Sequence, residues 1–385
     1  MTPPDRGPFH SGHGDGDLLD DPRLLEATDT GGLLRAAATA GAQVRSMASA
    51  AEEAGLGRLA GQRPRALVLL TRPGAAPAAA PLLLALLGPS CPVPVVTARS
   101  VPLWVGALDI VLANTTDPGD RELAEGIDRA ARRGAQVVLT APADGPVAAA
   151  AAGRSVLLVP RIEVPAGLAL PRTLAAGLLL LDALELLPTD SEVLAGELDR
   201  EAERDHIAHE SLVNPAKSLA LRLTARIPLL WGTDPVATAV AGHSAGALAA
   251  HAGVVAHAAG FHEAATLPVL RRLATRALGE ADVFHDPFEE PSPSSGMPAV
   301  RPVLLGVSAD PRNEPERAAA LDALPGADVV TVDEELMVRQ GDPGAATCAA
   351  AVLALRFDFA ALYLGLSRGV WGGPGRVDSA GPVIG

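Results

Sequence analysis

Short runs of consecutive apolar residues alternate along this chain with longer stretches in which apolar residues recur every three or four positions. The runs at 66–70, 93–96, 110–113, 135–140 and 155–159 predict buried strands, and the periodic stretches at 75–87, 120–133 and 146–152 predict helices between them. Apolar strands without polar alternation belong in a parallel sheet covered on both faces, because each crossover lays a helix on the sheet. The plan repeats further on. Residues 214–232, NPAKSLALRLTARIPLLWG, read as a helix started by Asn214 and Pro215, a turn, and a strand at 227–230. Further strands at 303–307 and 329–332 and helices at 245–258 and 345–366 complete a second unit.

The segment 21–59 carries two helical patterns broken at Gly31-Gly32, and residues 1–21 read as a disordered leader. Helices at 171–187 and 189–210 join the halves, and the second is rich in Glu and Asp, the pattern of a solvated face. The expected fold class is α/β, with three regions: 1–59, a leader and N-terminal helices; 60–190, a first open sheet; and 191–385, a second. The Pro/Ser-rich stretch 286–298 and the tail after Gly369 read as loops.

Hydrophobic residues make up 48% of the 385 and aromatics only 3%, so the cores must be aliphatic. A net charge of −14, with no basic run, opposes phosphate backbones and excludes nucleic acid as a partner. No stretch reaches the roughly 20 apolar residues that span a bilayer, since Asp182 and Glu185 interrupt the most apolar one, and the chain is expected to be cytoplasmic and without membrane contact. Cys91 and Cys348 are far apart and fit buried, reduced thiols. Histidines 243, 251, 257 and 262 lack the spacing of a metal motif, and neither a metal nor another cofactor is expected.

One short motif stands by itself. Gly242-His243-Ser244-Ala245-Gly246 matches G-x-S-x-G between VATAVA and ALAAHAG, the strand, turn and helix setting of a hydrolase nucleophile, with Asp282 and His285 as the later acid and histidine. An Ala-rich helix packed closely on a neighbour accounts for the same small residues.

Several pieces in order resemble the sugar isomerase (SIS) family, and most closely the bifunctional phosphoglucose/phosphomannose isomerases. They are CPVPVV at 91–96, VPLWVG at 101–106, Pro171-Arg172, NPAKSLA at 214–220 followed by IPLLWG, FHE at 261–263 and FDFAALYLGLSRGV at 357–370. The resemblance implies two SIS domains in tandem, a homodimer, and aldose–ketose isomerisation between glucose or mannose 6-phosphate and fructose 6-phosphate. The apolar helices 75–87 and 245–258 are the candidate dimer interface. Carried across by motif, His262 and Glu263 are the catalytic candidates, and Gly74, Thr115, Thr116 and Arg172 the substrate-binding ones.

The chain departs from the family's pattern where phosphate and catalysis are expected. The first phosphate loop reads TRPGAAP, with Ala76 in the serine position, and the second reads NTTDPGD, with Asp117 and Asp120 replacing a serine and the threonine. The stretch GHSAGALAAHAG, where the resemblance places the base glutamate, holds no acid, and Lys217 is the chain's single lysine. A non-catalytic SIS protein that binds a sugar-derived ligand or regulates a partner enzyme is therefore the alternative expectation.

Overall fold

In a computed structural model, residues 18–72, 76–153, 155–279, 299–307, 311–338 and 341–369 are described. Gly74, the acid and histidine of the hydrolase reading, the loop 286–298 and the tail after Gly369 lie outside them.

Three helices open the described chain, α1 (Pro22–Thr28), α2 (Leu33–Ala37) and α3 (Ala40–Glu53), one more than the pattern predicts. The first unit follows as β1 (Ala66–Leu70), α4 (Ala76–Leu87), β2 (Val95–Ala98), β3 (Asp109–Asn114), α5 (Arg121–Arg132), β4 (Gln136–Thr140), α6 (Gly145–Ala151) and β5 (Val156–Leu158). Helices α7 (Leu170–Ala183), α8 (Ser191–Arg204) and α9 (Pro215–Leu223) lead to the second. This contains β6 (Ile227–Gly232), α10 (Pro235–Ala252), β7 (His257–Gly260), α11 (Phe261–Ala265), α12 (Pro268–Gly279), β8 (Val300–Leu305), α13 (Glu314–Ala323), β9 (Asp328–Val330) and α14 (Ala345–Ser367).

Both sheets are wholly parallel, in the orders β2-β1-β3-β4-β5 and β7-β6-β8-β9. Side chains alternate across each strand, yet both faces are apolar. Leu67, Leu69, Ile110 and Leu112 point into a core shared with the second sheet, while Val68, Leu70, Val111 and Ala113 pack under α5. Leu230, Val303 and Leu305 enter the shared core from the other side, and Leu229, Trp231 and Leu304 face outward. Strand β2 starts two residues later than the apolar run, because Pro94 has no N–H and joins the ladder only through its carbonyl, which accepts from Leu67.

The shared core is built around α14, which packs on α8, α9 and α10. Contrary to the expectation that no stretch is long and apolar enough to span a bilayer, this helix is, but its most apolar window is wholly buried in the protein. It also holds charge. Arg356 reaches Glu201 on α8 at 2.6 and 3.1 Å and also pairs with Glu335. Glu197 accepts from the backbone of Met337 and Val338. The acidic stretch is therefore not simply a solvated face, since Glu197, Glu201 and Asp205 are fully buried. Nothing local in the sequence identifies Arg356, 155 residues downstream of Glu201, as the partner.

Two further expectations are corrected. The helix predicted at 245–258 begins ten residues earlier and stops at Ala252, where Gly253 takes the left-handed conformation (φ 61°) that favours glycine. Its final predicted residues form the edge strand β7. Cys348 is buried, but Cys91 is only half-buried, and both are free thiols.

Candidate functional site

In open parallel sheets, ligands settle outside the carboxyl ends of the strands where the strand order reverses. The first sheet reverses between β1 and β3, and the second between β6 and β8. An aspartate spans each of these points.

In the first sheet, Asp120 caps α5, accepting from the Leu123 N–H at 3.0 Å. The same carboxylate accepts from Arg72, which follows β1, at 2.5 and 3.0 Å. Arg72 also reaches Glu122 at 2.9 Å. A helix N-terminus and a guanidinium together make an anion site, and here the anion is the protein's own. By the resemblance, Asp120 replaces the threonine of the second phosphate loop. The structure adds that Asp120 is already neutralised by Arg72. In the second sheet, Asp234 is buried and caps α10 through the Ala237 N–H at 2.9 Å. Its other oxygen accepts from the Val307 N–H beyond β8, also at 2.9 Å.

The other candidates are spread around these ends. Thr115 is buried, and its hydroxyl accepts from the Asp117 N–H at 3.0 Å and donates to the Asp117 carbonyl at 3.2 Å, closing a local turn. Thr116 beside it is exposed. Arg172, in the first turn of α7, is buried; it donates to the Ile162 carbonyl at 3.1 Å, and burial lowers its pKa. His262 and Glu263 are exposed on α11, just beyond the edge strand β7. The hydrogen bonds that anchor them are backbone ones: the His262 N–H donates to Glu316 at 3.4 Å, and the Glu263 carbonyl accepts from the Thr266 hydroxyl. Thr115 and Thr116 thus belong to the first switch point, and His262 and Glu263 to the edge of the second sheet.

Lys217 is committed to the fold. Its ammonium donates to the carbonyls of Ile207 at 2.8 Å and His209 at 2.6 Å, and it lies over the Tyr363 ring. The G-x-S-x-G motif is overturned as a nucleophile elbow, because all of 242–246 lies inside α10 rather than at a strand-to-helix turn. Ser244 is fully buried and donates to the Val240 carbonyl one turn back, so it is not presented to a substrate.

The segment of α10 that lacks the base glutamate lines a cleft of about 980 Å³ against α4 and the turn at Ala166–Leu168. Its titratable lining residues are His243 and His251, two helical turns apart. His243 Nε2 lies 2.8 Å from Asp358 on α14. Burial pushes the His243 imidazole down, but the Asp358 charge and hydrogen bond outweigh it and leave the pKa raised. His251 has no such partner: burial lowers its pKa, and its Nε2 is buried without a hydrogen bond. The sequence gives no sign of this pairing, since it depends on α14 approaching α10. A Cβ on Gly365 would lie 2.0 Å from the His251 carbonyl oxygen, so glycine is what permits that approach. Among the described residues, no group of three or more His, Cys, Asp or Glu is arranged to hold a metal ion.

Two parallel sheets flanked by helices around a shared helical core define an α/β protein with an SIS-like fold. Residues 212–378 match the family described as the bacterial phospho-glucose isomerase C-terminal SIS domain. Among solved structures, a hypothetical protein from Thermus thermophilus aligns with a TM-score of 0.61 at 14% identity, covering 91% of this chain and 89% of its own. Tagatose-6-phosphate ketose/aldose isomerase from Escherichia coli aligns at 0.55 and 11%, over 89% of this chain and 93% of its own. The C-terminal domain of glucosamine-fructose-6-phosphate aminotransferase from Francisella tularensis aligns at 0.56 and 10%, over 88% and 94%. At these identities the likeness is one of fold. A comparison with curated proteins gives no match.

Proposed function

We propose that this chain is a carbohydrate-derivative-binding SIS protein in which aldose–ketose isomerisation of glucose, mannose or fructose 6-phosphate is slow or absent. One observation carries this reading: each switch point is spanned by an internal carboxylate, Asp120 with Arg72 and Asp234 with the Val307 N–H. A phosphate dianion entering either place finds the donors already held by a carboxylate and must displace formed hydrogen bonds. The absence of an acid from the cleft-lining part of α10 and the structural commitment of Lys217 point the same way. The ligand this favours is a sugar derivative recognised through hydroxyl contacts, and the accessible candidates are Thr116 at the first switch point or His262 and Glu263 at the edge of the second sheet. A homodimer and a regulatory role toward a partner enzyme belong to the same proposal.

A second reading, residual isomerase, is favoured by a different observation. His262 and Glu263 are adjacent, exposed and inside the matched family segment, so Glu263 is available as a base. Thermal unfolding with and without glucose 6-phosphate, mannose 6-phosphate, fructose 6-phosphate and their unphosphorylated parents separates the readings, and a coupled isomerase assay at high protein concentration completes the test. Stabilisation by a sugar without turnover supports the first. Turnover lost in Glu263→Gln supports the second. Size-exclusion chromatography with light scattering tests the dimer.

A further inference from the structure

We propose that Asp205 is a neutral carboxylic acid in the folded protein, donating from Oδ2 to Glu201, and that the proton it holds keeps the joint of α8, α9 and α14 closed until rising pH removes it.

Asp205 closes α8 and is fully buried. Its Oδ1 accepts from the Ala216 N–H in the first turn of α9 at 2.9 Å. Its backbone carbonyl accepts from the Tyr363 hydroxyl of α14 at 2.6 Å. One residue therefore ties three helices together. Its Oδ2, however, is buried with no donor against it. An ionised oxygen so placed is an uncompensated charge, whereas a protonated one is a donor and needs only an acceptor. Glu201, one turn back on α8, is that acceptor.

The cations around the pair are engaged elsewhere. From α14, Arg356 donates to both oxygens of Glu201 and to Glu335 in the turn Asp333–Glu335. From α8, Arg204 reaches Glu201 at 2.9 Å. From α9, Lys217 donates to the Ile207 and His209 carbonyls, and the carboxylate that acts on its charge is Asp20. In the loop after α8, His206 is exposed and its Nδ1 accepts from the Ala208 N–H, while His209 Nδ1 faces the Arg204 carbonyl. Among the described residues no cation donates to Asp205. Burial therefore raises its pKa well above the carboxylate range, and the Glu201 charge raises it further. The Arg356 charge and the Ala216 N–H oppose this without reversing it, and a hydrogen bond between the two carboxyl groups adds to the rise. The C-terminal end of the α8 dipole also disfavours a carboxylate there.

An unfolded aspartate ionises near pH 3.9, so at neutral pH folding takes up this proton. The stability it contributes is fully present below about pH 3.9 and is lost progressively as pH rises to the folded value. Ionisation then sets two carboxylates against each other inside the core, where the three helices meet.

The test is infrared spectroscopy of the purified full chain at about pH 7, where ordinary carboxyl groups are ionised. The expected result is the C=O stretch of a protonated carboxyl group, lost on unfolding and absent from Asp205→Asn. That variant keeps both hydrogen bonds, since its amide donates to Glu201 and its oxygen accepts from Ala216, so it is expected to fold. Between about pH 5 and pH 7 the folding equilibrium constant of the unsubstituted chain should fall about tenfold per pH unit relative to Asp205→Asn. Above the pH at which the band disappears, amide hydrogen exchange in α9 and α14 should accelerate more in the unsubstituted chain than in the variant. No protonated-carboxyl band, a band that persists in Asp205→Asn, parallel pH or exchange profiles of the two chains, or failure of Asp205→Asn to fold each overturns the proposal.

Discussion

The carboxylate of Asp234 and the backbone N–H of Val307 lie 2.9 Å apart, joining the end of β6 to the end of β8 where the second sheet changes direction. Asp120 and Arg72 make the equivalent closure in the first sheet. In an open α/β sheet these are the places where an anion would be held by helix N-terminal N–H groups. This chain supplies its own anion at both.

Removing that anion should restore affinity for one from outside. Asp120→Ser keeps an oxygen to cap α5 and releases Arg72 from its strongest pair. Hexose phosphate binding, measured by calorimetry, is expected to tighten by about tenfold or more, as one Arg–phosphate contact would provide. An unchanged affinity would show that Asp120 does not control the site.

Asp234→Ala should act mainly on stability. It removes a helix cap and leaves the Val307 N–H without this acceptor, which together cost about 2–4 kcal/mol in chemical denaturation. A loss below about 1 kcal/mol would mean that water or a neighbouring group replaces the carboxylate.

The parallel sheets were legible in the sequence because unbroken apolar runs such as 66–70 and 110–113 have few other places to go. Helix α10 was legible only in its second half, because VATAVAG is apolar all round and has no helical stripe to distinguish it from a strand. The edge strand β7, HAAG, carries almost no β preference and forms because it pairs with β6. The site was legible as a set of residue types, but their partners were not. Asp120 reads as a replacement for a threonine, and only the fold shows Arg72 against it.

The buried cluster on α8 and α14 gives a prediction of a different kind. Glu201→Gln breaks the pairing with Arg356 inside the core, and leaving that guanidinium poorly compensated is expected to cost about 3–5 kcal/mol. Replacing Glu201 by Leu and Arg356 by Met together should cost less than Glu201→Gln alone, as a double-mutant cycle would read. Equal or greater loss in the double variant would contradict this account of the cluster.

The two cleft histidines should give opposite pH dependences. His243 is raised in the folded state, so its contribution is fully present below about pH 6.5 and is lost as pH rises through the folded value. The Tm deficit of His243→Gln should therefore shrink between about pH 6 and pH 9. His251 is lowered, so the unfolded chain takes up its proton first and stability falls as pH drops below about 6.5. His251→Phe should flatten that acid limb. The same slope in both variants would contradict the assignment.

The most direct test of the central claim is a coupled assay for conversion of glucose 6-phosphate to fructose 6-phosphate by the purified chain at high concentration. The account predicts no turnover that Glu263→Gln removes, even at substrate concentrations well above the usual KM range of about 1 μM to 1 mM. A kcat in the ordinary enzyme range of about 1–1000 s⁻¹, abolished by Glu263→Gln, would contradict it and make the chain an isomerase working on substitute residues.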